Sequence, residues 1–518
     1  MAAGAVLLCS FLVKNSVPPH ALHHINRHSA TMEQYFAPFR ENIIGIHQNI
    51  STPYHETIRM VYADWTASGR NYLPIEHKIL HELMPFVANT HTDTNLTGMT
   101  MTYAYHKAQR MIKQHVNASD HDALISSNSG MTGVVNKFQR ILGLRVHESF
   151  KHLVHIAEQD RPVVFITHME HHSNQTSWLE TIADVVIIPP APDGLFSLEN
   201  FEQLLLQYQP RKHKIAAVTS CSNVTGIMTP YHEIAQLIHR HNGVCFVDFA
   251  CSAPYVDINM HPDAEGAHLD AIYFSPHKFL GGPGTTGILI FNKSLYKNTI
   301  PDDPGGGTVD WTNPWGDHKF VDDIEAREDG GTPAFLQTIK AAMCMKLKEE
   351  MGVAQILKRE KEQLELLWAG LADVPGIRIL AEEHKERLGV ISFYIDGLHY
   401  LAGVKMLNDK FGIQTRGGCS CAGTYGHYLL NVTPDMSKEI TAQVSSGNCS
   451  TKPGWIRMSI HPTMTNAEIT YIIAGIKALA LHHREWMADY DFDRSNNIIR
   501  SKNPADFTAV VERVDQFF

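Results

Sequence analysis

A chain of 518 residues, 44% hydrophobic and 19% charged, is long enough for more than one domain and has the composition of a globular protein rather than a disordered or fibrous one. A net charge of −10 without a basic block argues against a nucleic-acid partner, and no run reaches the roughly 18 apolar residues that a membrane span needs. Eight cysteines in so long a chain are not a disulfide framework and point to a reducing cytoplasm; the 32 histidines are scattered, and the pairs His23–His24, His171–His172 and His482–His483 lack zinc-type spacing, so no metal site is expected.

Residues 1–31 open on the apolar MAAGAVLLCSFLVK without the basic start of a signal peptide. They read as a disordered leader, with Met32 as an alternative start and a targeting segment as the other reading. Residues 32–90 are expected to pack on a C-terminal domain. YAYHKAQRMIKQHV (103–116) has helical spacing. Short β-branched runs then alternate with helical ones. PVVFITH (162–168), DVVIIP (184–189), KIAAVTS (214–220), GVCFVDF (243–249), DAIYFS (270–275) and GILIFN (287–292) read as buried strands, with LENFEQLLLQY and YHEIAQLIHRH as helices between them. Apolar strands separated by helices imply an α/β domain, 91–345, whose sheet is largely parallel and covered on both faces. One long helix is expected from Pro333 to Leu371. The strands GVISFYI and WIRMSI and the helix AEITYIIAGIKALALHHREW make a smaller α/β domain, 346–490, and 491–518 are a polar tail ending in an amphipathic segment.

In sheets of this kind ligands bind beyond the carboxyl ends of the strands. Those ends carry complementary groups: His171 after the first run, Asn223 after the third, Asp248 at the end of the fourth, and Ser275, His277 and Lys278 after the fifth. Ser129-Gly130-Met131-Thr132 forms a small-residue loop before a helix, where backbone N–H groups and the helix dipole favour a phosphate. An amine, a carboxylate, a flat imidazole and an anion cradle match pyridoxal 5'-phosphate. Lys278 would form the Schiff base, Asp248 would keep the pyridine nitrogen protonated, His171 could stack on the ring, and Met131, Thr132, Ser275 and His277 could hold the phosphate. Each residue alone has an ordinary alternative as a cap, turn or packing residue; the GGPGTTG loop lacks the ending of a nucleotide-binding P-loop.

The pieces ADWTASG, SGMTGVVN, MEHHSN, SCSNVTG, VDFACSAP, FSPHKFLGGPGTTG, EDGGTP, RGGCSCAG and WIRMSI, spread from about Tyr62 to Leu479, resemble the class V aminotransferase family of fold type I, in its cysteine desulfurase and selenocysteine lyase branch. The resemblance implies a mostly parallel seven-stranded sheet with a smaller C-terminal α/β domain, a pyridoxal-phosphate homodimer, a small amino-acid substrate and a sulfur-acceptor protein. It implies further that Thr332 reaches the partner subunit's phosphate, that Arg457 grips the substrate carboxylate beside Asn223, and that Cys421, in the pattern Arg416-x-Gly418-x-x-Cys421, is the nucleophile that takes the sulfur on a mobile loop. Cys251 occupies the position where the family commonly has a glutamine bonding the ring oxygen, and a thiol is a poor donor. Cys419 falls off the family spacing; a Cys-x-Cys metal pair with His427 lacks a fourth ligand. Two other readings stay open: a different pyridoxal-phosphate reaction, transamination or β-elimination, with Cys421 a bystander, or a cofactor-binding protein without turnover. The insert 301–329 is expected to line the substrate entrance or the dimer interface.

Overall fold

The computed structural model describes residues 31–518 apart from 91, 93, 450, 451, 494, 495 and 504–507; the expected leader, residues 1–30, lies outside the described residues. Thr31 is the N-cap of the first helix, Met32–Arg40, in a capping box with Gln34.

The large sheet has seven strands: β1 (Asp122–Ser127), β2 (Val163–Thr167), β3 (Asp184–Ile188), β4 (Lys214–Thr219), β5 (Val244–Asp248), β6 (Ala271–Phe274) and β7 (Gly287–Asn292), in the order β1-β7-β6-β5-β4-β2-β3. β2 to β6 run parallel to one another, and β7 runs antiparallel to both β6 and β1. Alternate residues serve opposite faces. Phe165, Val218, Val247, Ile272 and Ile290 pack towards Phe201 and Ile234 of the crossover helices, while Ile166, Ala217, Phe246, Tyr273 and Phe291 pack towards Phe138 and Trp178. Each such fully buried apolar side chain contributes roughly 1.5–3 kcal/mol, so the sheet is the rigid plate on which the loops at its carboxyl edge are mounted.

Gly352, at φ +74°, breaks the expected single helix into Phe335–Met351 and Val353–Leu371. A Cβ there would be both in the left-handed region and 2.2 Å from the Gln355 side chain, so the two helices turn at this glycine. Beyond it lies a four-stranded antiparallel sheet: β8 (Ile377–Ile379), β9 (Val390–Ile395), β10 (Arg416–Gly418) and β11 (Trp455–Ser459), in the order β8-β9-β11-β10. Residues 32–90 join the two parts. Arg40 pairs with Glu468 at 2.6 Å, and Val61–Tyr62 pairs in parallel with Ile413–Gln414. On the other side the Gly69 N–H donates to the His277 carbonyl and the Gly281 N–H to that of Arg70. The C-terminal segment holds more structure than a polar tail: a hairpin, Tyr490–Asp493 with Ile498–Ser501, and a helix, Thr508–Asp515. The insert forms a hairpin too, Val309–Thr312 with His318–Phe320, whose Trp311 and Trp315 are exposed.

Candidate active site

At the end of β6, Pro276–Lys278 make one tight turn, and the glycine loop folds back under it. The loop's glycines serve close backbone packing. A Cβ on Gly282 would lie 2.0 Å from the Pro276 carbonyl, and one on Gly287 would lie 2.1 Å from that of Gly130. The same glycines therefore bring the lysine turn against the start of the helix Gly130–Ile141. This helix has no side-chain cap at Ser129, and Met131 and Thr132 stand in its first turn rather than in a preceding loop. The Met131 N–H donates to Ser275 Oγ at 2.8 Å, and the Thr132 and Ser173 hydroxyls bond at 2.7 Å.

Lys278, Ser129, Met131, Thr132, Ser275 and His277 line one cavity of about 230 Å³ with His171, Asn223, Asp248, Cys251, Arg416, Cys421 and Arg457. Burial lowers the Lys278 pKa, against the pull of Cys251 and Asp248, which favours the neutral, nucleophilic amine. Asp248 is 3% exposed; burial raises its pKa to about 6, the Ala250 N–H on Oδ1 at 2.8 Å and the Lys278 charge opposing. His171 caps the helix His172–Leu179 and accepts from the Ser173 N–H through Nδ1. Burial and then the charge of Lys278 lower its pKa to about 3, so the ring is neutral, with its proton on Nε2. His277 is likewise lowered, to about 4, by burial and Lys278. Behind His171, Glu170 receives the Thr167 hydroxyl, the Thr219 N–H and the Asn174 amide, fastening the ends of β2 and β4 to each other.

The smaller sheet supplies the opposite wall. Arg457 on β11 is 3% exposed; its Nη2 bonds Asp64 at 2.8 Å, its Nη1 bonds the Asn223 carbonyl at 3.2 Å, and its Nε has no partner. The Asn223 Oδ1 is likewise buried and unpartnered, while its Nδ2 donates to the Ser420 carbonyl at 2.7 Å. Ser420 and Cys421 both hold left-handed backbone angles, φ +51° and +56°. Single non-glycine residues there cost on the order of 1–2 kcal/mol, offset by Trp455 Nε1 on Ser420 Oγ and by the His172 N–H on the Cys421 carbonyl at 2.7 Å. Cys421 is partly exposed. The expected mobile loop is thus pinned on both sides.

Other residues singled out in the sequence lie away from this cavity. Thr332 is exposed and does not reach this cavity of its own chain. Cys419 packs against a small apolar cluster with Tyr425 and Trp455 instead of lining the cavity. His427 engages Gly423 and Ser437 with its two ring nitrogens, leaving the Cys-x-Cys pair without an imidazole. The insert contributes no residue to the wall. Sequence reasoning missed Asp64 and Thr66, which stand in ADWTASG, and Cys221, whose Sγ shares the Ser222 carbonyl with that of Cys251. In this thiol pair burial pushes Cys221 up, and Cys251 is the more acidic because Cys221 donates to it and Lys278 lies near.

These residues fit pyridoxal phosphate. A buried carboxylate whose pKa is already raised favours a cationic partner, the unpartnered Asn223 and Arg457 atoms need polar ligand atoms, and the amine is poised to attack an aldehyde. The seven-stranded sheet, the smaller C-terminal domain and the lysine at their joint make this a transferase fold of type I. The chain belongs to the class-V aminotransferase family, whose model matches residues 61–472. It is 27% identical over 367 residues to the "Probable cysteine desulfurase" of Halalkalibacterium halodurans, covering 70% of this chain and 84% of that one, and 28% identical over 368 residues to its counterpart in Staphylococcus epidermidis, covering 70% and 83%. The apo structure of a cysteine desulfurase from Thermococcus onnurineus superposes with a TM-score of 0.68 at 20% identity, covering 86% of this chain and 98% of that one. A cysteine desulfurase from Escherichia coli gives 0.65 at 20%, with the same coverages. These two likenesses establish the fold.

Proposed function

We propose that the protein is a pyridoxal-phosphate-dependent cysteine desulfurase or selenocysteine-lyase-like enzyme, releasing sulfur or selenium from a small amino acid to leave alanine. The observation that carries the proposal is a partly exposed thiol, Cys421, in the wall of the cavity that holds Lys278, Asp248 and Arg457. When bound, pyridoxal phosphate supplies an electron sink for the substrate α-carbon. Asp248 would keep the ring nitrogen protonated, the neutral His171 would offer its flat face, and Met131, Thr132, Ser275 and His277 would hold the phosphate. Arg457, oriented by Asp64 and the Asn223 carbonyl, binds the substrate carboxylate as a planar fork. The Lys278 amine, its pKa lowered by burial, is the base for the α-proton. Cys421 Sγ attacks the substrate sulfur, the C–S bond breaks, its electron pair stays with the carbon skeleton, and a proton completes alanine. The sulfur remains on Cys421 as a persulfide for an acceptor protein.

The enzyme acts as a homodimer in the cytoplasm. Supporting the dimer, Leu80, Met84, Leu96 and Tyr103, in elements that pack together, expose 46–67% of their surface, a large apolar share for a monomer. Thr332 is exposed and three residues from Phe335, which packs with Met101 and Tyr105 of the same helix as Leu96 and Tyr103, so a partner seated on this face meets it. Supporting the compartment, the cysteines from Cys221 to Cys449 are unpaired, and no helix among the described residues is long and apolar enough to cross a membrane. Incubating pure protein with a panel of amino acids tests the reaction: alanine with protein-bound persulfide is expected, and ammonia with pyruvate would refute it in favour of β-elimination.

A further inference from the structure

Opposite the lysine, at the amino edge of the large sheet, His239 of helix Tyr231–Arg240 meets His268 and Asp270, which lead into β6. One ring nitrogen of each histidine and one Asp270 oxygen all lie within 4.8 Å of one another. His239 Nε2 is 2.8 Å from Asp270 Oδ2, His268 Nε2 is 3.8 Å from Oδ1, and the two rings stack at 4.1 Å and 14°. The Gly266 carbonyl, 2.6 Å from His239 Nδ1, can only accept, so Nδ1 carries a proton. A neutral His239 would then turn a lone pair on Nε2 towards a carboxylate oxygen. Two acceptors at 2.8 Å require a proton or a cation between them. With Nδ1 already donating to Gly266, a proton on Nε2 or a bound cation fills that place. His268 is partly exposed and turns its Nε2 towards the same carboxylate at 3.8 Å. Negative charge is plentiful at this edge. Asp122, at the start of β1, is fully buried; its Oδ2 meets His261 at 2.7 Å and its Oδ1 has no partner.

We propose that His239, His268 and Asp270 bind a divalent ion of the zinc type, which displaces the His239 proton. Two imidazoles and one carboxylate favour a borderline transition metal over magnesium or calcium. A ring N–H held by a backbone carbonyl is the outer support that metal-binding histidines commonly have. A tetrahedral ion with bonds of about 2.0–2.1 Å separates its ligands by about 3.3 Å. The three ligand atoms lie within 4.8 Å of one another, so seating the ion closes them by at most about 1.5 Å and turns the two imidazoles out of their stack. His268 is 43% exposed on its side chain, leaving the fourth position to water. The ion would clamp helix Tyr231–Arg240 to the entry of β6, at the other end of the strand from Lys278, which assigns it a structural role. The paired histidines considered from the sequence miss this cluster because its ligands come from a helix and from a strand entry some thirty residues later.

The test uses the full chain with cofactor, stripped of metal by a chelator and titrated with zinc ions, beside His268→Ala. Both carry the same cysteines, so thiol binding cancels between them. Wild type is expected to bind one more equivalent than the variant, or to bind that equivalent about 100-fold or more tighter. It should release a proton on binding and gain on the order of a few degrees in thermal midpoint that the variant does not. Equal stoichiometry, affinity and thermal shift in the two proteins overturn the proposal. Because His268 is half-exposed the variant should fold; if it does not, cobalt(II) in the wild type decides. Visible bands of a tetrahedral nitrogen–oxygen site support the assignment, and thiolate bands alone overturn it.

Discussion

Replacing Asp248 by Asn exchanges catalysis for stability by an amount the structure sets. The carboxyl rises from its ordinary 3.8 to about 6 because burial penalises its charge. About two pH units at 1.36 kcal/mol each make a cost of ~3 kcal/mol to folding at pH 7.5. The sign follows from proton binding. The folded carboxyl holds its proton more tightly than the unfolded one, so stability falls as pH rises from about 4 to about 6, and the cost is complete above that. Asn keeps an oxygen for the Ala250 N–H and carries no charge. Cofactor-free Asp248→Asn should therefore unfold at higher urea than cofactor-free wild type at pH 7.5, by up to ~3 kcal/mol, and by about half of that at pH 5. Added pyridoxal phosphate should stabilise wild type more than the variant, because only the carboxylate pairs with a protonated ring nitrogen. Turnover of the variant should drop on the order of a hundredfold or more. Equal urea midpoints for the cofactor-free forms at both pH values would show that the buried charge is compensated elsewhere, and an equal gain from cofactor would remove Asp248 from the ring nitrogen.

Three further outcomes are expected. Cys421→Ser should abolish sulfur release from cysteine, since a hydroxyl cannot take the sulfane sulfur, while leaving the cofactor's absorbance intact; Cys419→Ser should be milder, and mass spectrometry should find an added sulfur on wild-type Cys421. Lys278→Ala should lose the borohydride-reducible link between chain and cofactor; retention of the link on another residue would refute the assignment. Asp64→Asn replaces a charge-assisted bond to Arg457 by a neutral one, a difference of about 1 kcal/mol, so KM should rise roughly 5-fold with kcat little changed, and an unchanged KM would mean that Arg457 does not hold the substrate.

The large sheet was legible because five of its strands are buried on both faces and, with the half-buried edge strand β3, read as continuous β-branched runs between helices. β1 escaped notice because DALISS fades into polar residues at its carboxyl end, where Ser126 and Ser127 are only half-buried. The cavity residues were legible for a related reason. Strand ends mark where a parallel sheet presents its ligands, so His171, Asn223, Asp248 and Lys278 could be collected without any distance. Asp64 was not, because its value lies in a pairing with a residue 393 positions later. The break at Gly352 was hidden for the opposite reason. A glycine inside a helical pattern is commonly tolerated, and only its left-handed angle turns it into a joint.

The Cys421 loop was expected to move because it is rich in glycine, yet its glycines are not what governs it. Four hydrogen bonds tie the segment to the large domain: Asn223 to the Ser420 carbonyl, the His172 N–H to the Cys421 carbonyl, the Gly423 N–H to His172 Nε2, and Gln175 to Thr424. At about 1 kcal/mol net each, lifting the loop costs roughly 4 kcal/mol, which leaves it open about one part in a thousand of the time. Releasing the left-handed angles of Ser420 and Cys421 returns part of that. On the proposed function, a persulfide formed on Cys421 would therefore be held in place while its thiol stays partly exposed. His172, which takes part in two of the four bonds, couples the loop to the large domain most directly.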